Sequence, residues 1–90
     1  MGIIEKICKN ATRSDSERIY HFALHENGYV VLTCGKDGTS YEDDVMFLYD
    51  LKGRLIASSY MKVSEKCGKF KKNIKVPEKY RYKNKETIDE

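Results

Sequence analysis

The pair Asn27-Gly28, set between two runs of apolar and aromatic residues, constrains the fold of this chain more than any other feature. Asn-Gly in such a setting is the strongest short-range signal for a tight β-hairpin, because both residues accept the positive φ angles of the turn. Residues 29–34, which follow the pair, are β-branched and aromatic and predict a strand. The sequence therefore favours a hairpin over residues 18–34.

A helix is the alternative for the first half of this segment. Ser14 and Glu17 have the spacing of a capping box, and Asn27-Gly28 would then end a helix over 15–26. The hairpin is favoured because Tyr20, Phe22 and Leu24 share one face of a strand. Residues 18–26 nevertheless remain open between strand and helix at this point.

The remaining segments predict one further helix and three further strands. Apolar residues at helical spacing predict a short amphipathic helix over 2–11. A second hairpin is predicted from strands 45–49 and 54–60, joined by a turn in which Gly53 can adopt a positive φ. Residues 64–68 predict a break, and 69–76 predict a half-buried strand with Phe70, Ile74 and Val76 on its apolar face. Pro77 confines that strand to the edge of a sheet.

Together these elements predict a single small α+β domain over residues 1–83. It has a short N-terminal helix and an antiparallel sheet of about five strands, built from two β-hairpins and a basic C-terminal strand. Residues 84–90 are polar and are predicted to form a frayed tail. The sequence of 90 residues contains no apolar run long enough to span a membrane and no hydrophobic start, so we expect a cytoplasmic protein without a membrane partner.

The sequence contains none of the motifs that carry catalytic or metal chemistry. Cys8, Cys34 and Cys67 are far apart and form no C-x-x-C pair, so we expect buried or half-buried reduced thiols. Cys67, between Lys66 and Lys69, is the best candidate for a reactive thiol. No nucleophile elbow, P-loop or Rossmann glycine pattern is present. We therefore predict no catalytic residues, no metal and no cofactor, and keep a small metal- or thiol-dependent enzyme as the least favoured hypothesis.

Positive charge is concentrated near the end of the chain. Residues 61–85 contain ten lysines and arginines against only Glu65 and Glu78. Such a segment attracts phosphate groups or acidic protein surfaces. Strict alternation along 69–76 places Phe70 in the core, away from the lysines, which leaves two tyrosines as stacking residues. The residues predicted to bind nucleic acid or an acidic partner are Lys69, Lys71, Lys72, Lys75, Lys79, Arg81, Lys83, Tyr80 and Tyr82.

A second predicted surface combines tyrosines with an acidic loop. The chain contains seven tyrosines, more than a small core can bury, and tyrosine is enriched in protein interfaces. An exposed sheet edge would in addition permit strand addition or a homodimer. The predicted partner interface consists of Tyr41, Glu42, Asp43, Asp44, Tyr49 and Tyr60.

These observations favour a small non-enzymatic interaction module that binds a larger protein partner. We expect an accessory or inhibitory factor, of the kind that phages and mobile elements encode, acting on a complex that handles nucleic acid. The alternative is a direct nucleic-acid-binding domain that uses the basic segment 69–85. The two hypotheses differ in the class of ligand and in the surface that would carry it.

Overall fold

The computed structural model describes residues 2–35 and 45–83, and the predicted tail 84–90 lies outside them. Within these ranges a five-stranded antiparallel sheet has the order β4-β3-β2-β1-β5. The structure thus confirms the predicted α+β fold class. The elements, in chain order, are α1 Ile3–Ala11, β1 Glu17–His25, β2 Gly28–Gly35, β3 Val45–Tyr49, β4 Leu55–Ala57, α2 Tyr60–Lys66, β5 Phe70–Asn73 and a 3-10 turn Glu78–Tyr80.

The hairpin over residues 18–34 is confirmed, and the alternative helix is wrong. β1 and β2 are antiparallel neighbours whose pairing ends with His25 opposite Gly28. Gly28 has a φ of 155°, and a Cβ atom at this position would lie 2.1 Å from the Tyr49 carbonyl oxygen. Glycine is needed here because the backbone of β3 passes directly beside the turn.

The two faces of the sheet are covered by different helices. On one face α1 buries Ile7, Cys8 and Ala11 against a cluster that includes Phe22 and Phe47. On the other face the small α2 helix packs on a second cluster, which consists of Val30, Leu48, Ala57, Val63 and Cys67. The sheet therefore has a core on each side, and burial on both faces leaves its two outer strands as the accessible edges.

The helix α2 was missing from the sequence prediction, which extended a strand over 54–60 and placed a break at 64–68. The strand ends at Ala57, and the Ser59 side chain accepts a hydrogen bond of 3.4 Å from the Lys62 backbone N–H, which caps the new helix. Val63 is the buried residue of this helix. A seven-residue helix with one buried side chain shows no helical periodicity in its sequence.

The basic strand is also shorter and less regular than predicted. Leu24 lies opposite Lys72 while His25 lies opposite Phe70, so β5 contains one extra residue, Lys71, between these pairs. Such a bulge shifts the alternation of side chains. Phe70 is therefore out of phase with the core residue Val76, and it is 54% exposed. The prediction that Phe70 belongs to the core is wrong.

The predicted alternation does not continue beyond Pro77. The chain instead forms the 3-10 turn, after which Arg81 bridges to Ile19 in parallel orientation. The backbone N–H of Tyr82 donates to the Ile19 carbonyl oxygen at 2.8 Å. Tyr80 packs against the core beneath α1, and Tyr82 is half-buried. Both tyrosines are thus half-buried, and their predicted role in stacking stays a prediction.

Candidate functional site

The first candidate surface is an apolar edge formed by the turn before β4, by β4 itself and by the start of α2. The described residues include seven exposed large hydrophobic side chains, and five of them lie in the segment 51–61. Each of the five is between 43% and 70% exposed. Exposed apolar side chains grouped in one short segment are typical of a protein-binding surface. We call the set the apolar edge: Leu51, Leu55, Ile56, Tyr60 and Met61.

A tight turn holds the start of the apolar edge in place. The Asp50 carboxylate accepts hydrogen bonds of 2.9 Å from the backbone N–H groups of Lys52 and Arg54 and from the Arg54 Nε. The backbone N–H of Arg54 is the main cause of the lowered pKa of Asp50. Gly53 has a φ of 86°, and Ile3 of α1 packs closely over it. The turn is therefore fixed at both ends, and Leu51 within it is 57% exposed.

The backbone of β4 is poorly suited to pairing with another strand. The strand has three residues, and its pairing with β3 shifts register between Leu48 and Tyr49. Short, bulged edge strands resist edge-to-edge pairing. A partner would accordingly contact the side chains of the apolar edge, while the predicted homodimer through a sheet edge stays a prediction.

The second candidate surface, the basic edge, lies on the opposite side of the sheet. All seven cations predicted to bind a polyanion are exposed. Lys79 pairs with Glu5 at 3.5 Å, and Lys83 pairs with Glu78 at 3.0 Å, which lowers the pKa of Glu78. Within residues 2–35 and 45–83, the other five have no ion-pair partner: Lys69, Lys71, Lys72, Lys75 and Arg81.

A shallow groove continues the basic edge beyond β5. Its volume is about 490 Å³, and its lining consists of Lys75, Val76, Pro77, Glu78 and Arg81. Two cations and one carboxylate thus face the same groove, and that carboxylate is neutralised by its ion pair with Lys83. The groove extends the positive field of β5 toward the 3-10 turn.

The basic edge is anchored by hydrogen bonds between the β1–β2 turn and the chain that enters β5. The backbone N–H groups of Glu26 and Asn27 donate to the carbonyl oxygens of Lys69 and Cys67 at 2.9 and 3.0 Å. The Lys69 N–H donates to Glu26 Oε1 at 2.7 Å, and the Asn27 side chain donates to the Lys66 carbonyl at 2.8 Å. We call this set of bonds the latch. The latch fixes the position of the backbone that carries the Phe70 side chain.

Phe70 is the functional candidate that the sequence analysis missed. Its ring contacts the His25 ring edge to face, with 5.7 Å between centroids. His25 Nδ1 in turn lies 3.2 Å from the Gly68 carbonyl oxygen. The ring is therefore oriented by a neighbour and still more than half exposed, among the lysines of β5. The alternation of residue types in the sequence predicts that Phe70 lies in the core. Its exposure is recognised only in the structure, which shows the bulge at Lys71.

Two tyrosines of the predicted partner interface lie within the described residues, and one of them is buried. Tyr49 is 1% exposed, and its hydroxyl donates to Asn10 Oδ1 at 2.6 Å, so its assignment to the surface is wrong. Burial raises the pKa of Tyr49 to about 12. Tyr60 is exposed as predicted and belongs to the apolar edge. The acidic loop, Tyr41, Glu42, Asp43 and Asp44, lies outside the described residues.

The cysteines occupy positions that disfavour nucleophilic chemistry. All three are buried, as predicted, and no disulfide joins them. Burial, together with the nearby Glu5 carboxylate, raises the pKa of Cys8 to about 12, which keeps it protonated. Cys67, the candidate reactive thiol, donates to the Gly68 carbonyl oxygen at 3.5 Å. Among the described residues no three histidine, cysteine or acidic side chains come together as metal ligands.

Comparison with protein-family models, curated proteins and solved structures finds no match to this chain. In the part of the chain that the structure describes, neither helix has the length and apolar character needed to cross a membrane. The two edges of the sheet are therefore the candidate functional surfaces within the described residues.

Proposed function

We propose that the protein is a small, non-enzymatic, cytoplasmic interaction module that binds a larger protein partner through the apolar edge. One observation carries the proposal: five of the seven exposed large hydrophobic side chains of the described residues lie in the segment 51–61. Hydrophobic side chains scattered singly over a surface need no explanation, whereas a group of them in one short segment does. Its burial against a partner would remove this apolar area from water.

The charges around the apolar edge support a particular kind of partner. Lys52 and Lys62 are exposed and adjoin Leu51 and Met61 in the chain, whereas Arg54 is ion-paired with Asp50. A rim of positive charge around an apolar centre is complementary to an apolar surface bordered by carboxylates. The occupant we propose is therefore a larger protein with an acidic rim, and the module would act as an accessory or inhibitory factor by covering that surface.

Site-specific photo-crosslinking tests this proposal. A photoreactive phenylalanine replaces Tyr60 in the apolar edge, and the matched control replaces Tyr20, an exposed tyrosine of β1 outside this edge. The protein that crosslinks at position 60 and not at position 20 is then purified and titrated with the wild type and with Met61→Asp. We expect affinity to fall about tenfold or more, since a charge placed in a buried hot spot costs over 1 kcal/mol.

Two outcomes would contradict the proposal. Equal binding of the purified candidate by the wild type and by Met61→Asp would place the contact elsewhere. Sedimentation of the wild type as a dimer that Met61→Asp dissociates would assign the apolar edge to a second copy of this chain. Melting curves of Met61→Asp test whether the variant folds normally. We expect no folding defect because Met61 is exposed.

A further inference from the structure

An exposed aromatic ring among lysines has the chemistry of a site for unpaired bases. The Phe70 side chain is 54% exposed and makes no contribution to either buried cluster. Its neighbours Lys69, Lys71 and Lys72 are all exposed on the same four-residue strand or at its start. Bases stack on aromatic rings while lysines contact the phosphates that link them, and this combination is sequence-tolerant.

The geometry favours a single strand over a duplex. A planar ring can stack only on the face of a base, and in a duplex those faces are covered by neighbouring base pairs. The latch and the His25 contact hold the ring in one place before any ligand arrives. A preorganised ring loses little conformational freedom on binding.

Charge extends the site beyond Phe70. The cations of the basic edge that lack an ion pair within the described residues continue from β5 to Lys75 and Arg81 at the groove of about 490 Å³. An acidic protein would use these cations and could bury the phenyl ring as an apolar side chain, for which a leucine would serve as well, whereas stacking on a base requires the aromatic face. The ring is thus the feature that separates the two classes of ligand.

We infer that the basic edge binds single-stranded nucleic acid, with Phe70 as the stacking residue and Lys69, Lys71 and Lys72 as phosphate contacts. This site is on the opposite side of the sheet from the apolar edge. It is independent of the proposed protein partner, and a module with both edges occupied would hold that partner next to a nucleic-acid strand.

Fluorescence anisotropy with a labelled oligothymidylate of about 15 nucleotides, the upper range for one small domain, tests the inference. The full chain is titrated as the wild type, as Phe70→Leu and as Lys71→Glu/Lys72→Glu, across about 50 to 200 mM salt. Phe70→Leu keeps an apolar side chain and removes the aromatic face. Leu55→Ala in the apolar edge is the matched control, and heparin is the polyanion without bases.

We expect Phe70→Leu to weaken binding of the oligothymidylate about fivefold or more and to leave heparin binding unchanged. The double lysine variant should weaken both ligands and flatten the dependence of affinity on salt. Leu55→Ala should bind the oligothymidylate like the wild type, so that loss at the basic edge is distinguished from loss at the apolar edge.

The inference is refuted if Phe70→Leu binds the oligothymidylate as tightly as the wild type. Competition by polyglutamate as effective as that by unlabelled oligothymidylate would refute it too, and would assign the basic edge to an acidic protein. Because Phe70 is exposed and lies at an edge, its replacement should leave the melting curve unchanged, and that measurement shows that any loss of binding is local.

Discussion

Replacing Gly68 by alanine should disrupt the latch that fixes the basic edge. Gly68 has a φ of 78°, and a Cβ atom there would lie 2.8 Å from the Glu26 Cβ and 2.9 Å from Glu26 Oε1. The left-handed conformation costs a non-glycine residue about 1–2 kcal/mol. The approach to Glu26 also displaces the carboxylate that accepts from the Lys69 N–H, a bond worth about 1 kcal/mol.

A smaller effect acts in the opposite direction, because alanine restricts the unfolded chain and recovers about 0.4–1 kcal/mol. The net expectation for Gly68→Ala is a loss of about 2 kcal/mol in the free energy of unfolding. In a domain of this size that corresponds to a fall in Tm of about 10 °C. Urea unfolding followed by circular dichroism measures the loss directly.

Gly2→Ala is the matched control, since a Cβ atom at Gly2 meets nothing within 4 Å. Hydrogen exchange supplies the local test: the amides of Glu26 and Asn27, which donate across the latch, should exchange faster in Gly68→Ala. Stability within about 0.5 kcal/mol of the wild type, the usual range for neutral surface changes, would show that the latch does not constrain this junction.

Two further predictions concern the buried clusters. Val63→Ala should cost about 2 kcal/mol by urea unfolding, because Val63 is fully buried and attaches α2 to the sheet, whereas Ser64→Ala on its exposed side should be near neutral. Burial holds the pKa values of Cys8 and Tyr49 near 12, above their ordinary values of 9.0 and 10.0, so the folded state retains these protons longer than the unfolded state. Stability should be complete below pH 9 and fall as the pH rises from 9 to 12. Tyr49→Phe also loses the hydrogen bond to Asn10, which lowers the free energy of unfolding by about 1 kcal/mol. In this variant stability should decrease less steeply at alkaline pH. An unchanged alkaline slope would contradict the assignment.

Local signals in the sequence were sufficient for the hairpins and for α1. Gly28 and Gly53 supply the positive φ angles at their turns, whereas Asn27 has no positive φ, and the strand 45–49 was predicted with its exact bounds. The lysines of the basic edge were also predicted as exposed. These features depend on residues close together in the chain. They can therefore be predicted without knowing which distant residues pack against them.

The burial or exposure of particular strand residues depended on partners distant in the chain. Tyr49 is buried because α1 brings Asn10 to its hydroxyl, some 39 positions away in sequence. Phe70 lies on the edge strand β5, whose four residues are all exposed and whose pairing with β1 admits an extra residue at Lys71. Neither a hydrogen bond of this range nor a bulge leaves a periodic trace in the sequence.

By itself the sequence determined which segments are strands, where the tight turns fall and that positive charge collects in 69–83. Tertiary structure alone decided that 51–61 forms an exposed apolar edge, that α2 covers the second face and that Phe70 faces outward. The physical reason is that backbone conformation responds to local side-chain chemistry, while burial depends on which distant elements pack on each residue. Both candidate surfaces of this protein are consequences of that packing.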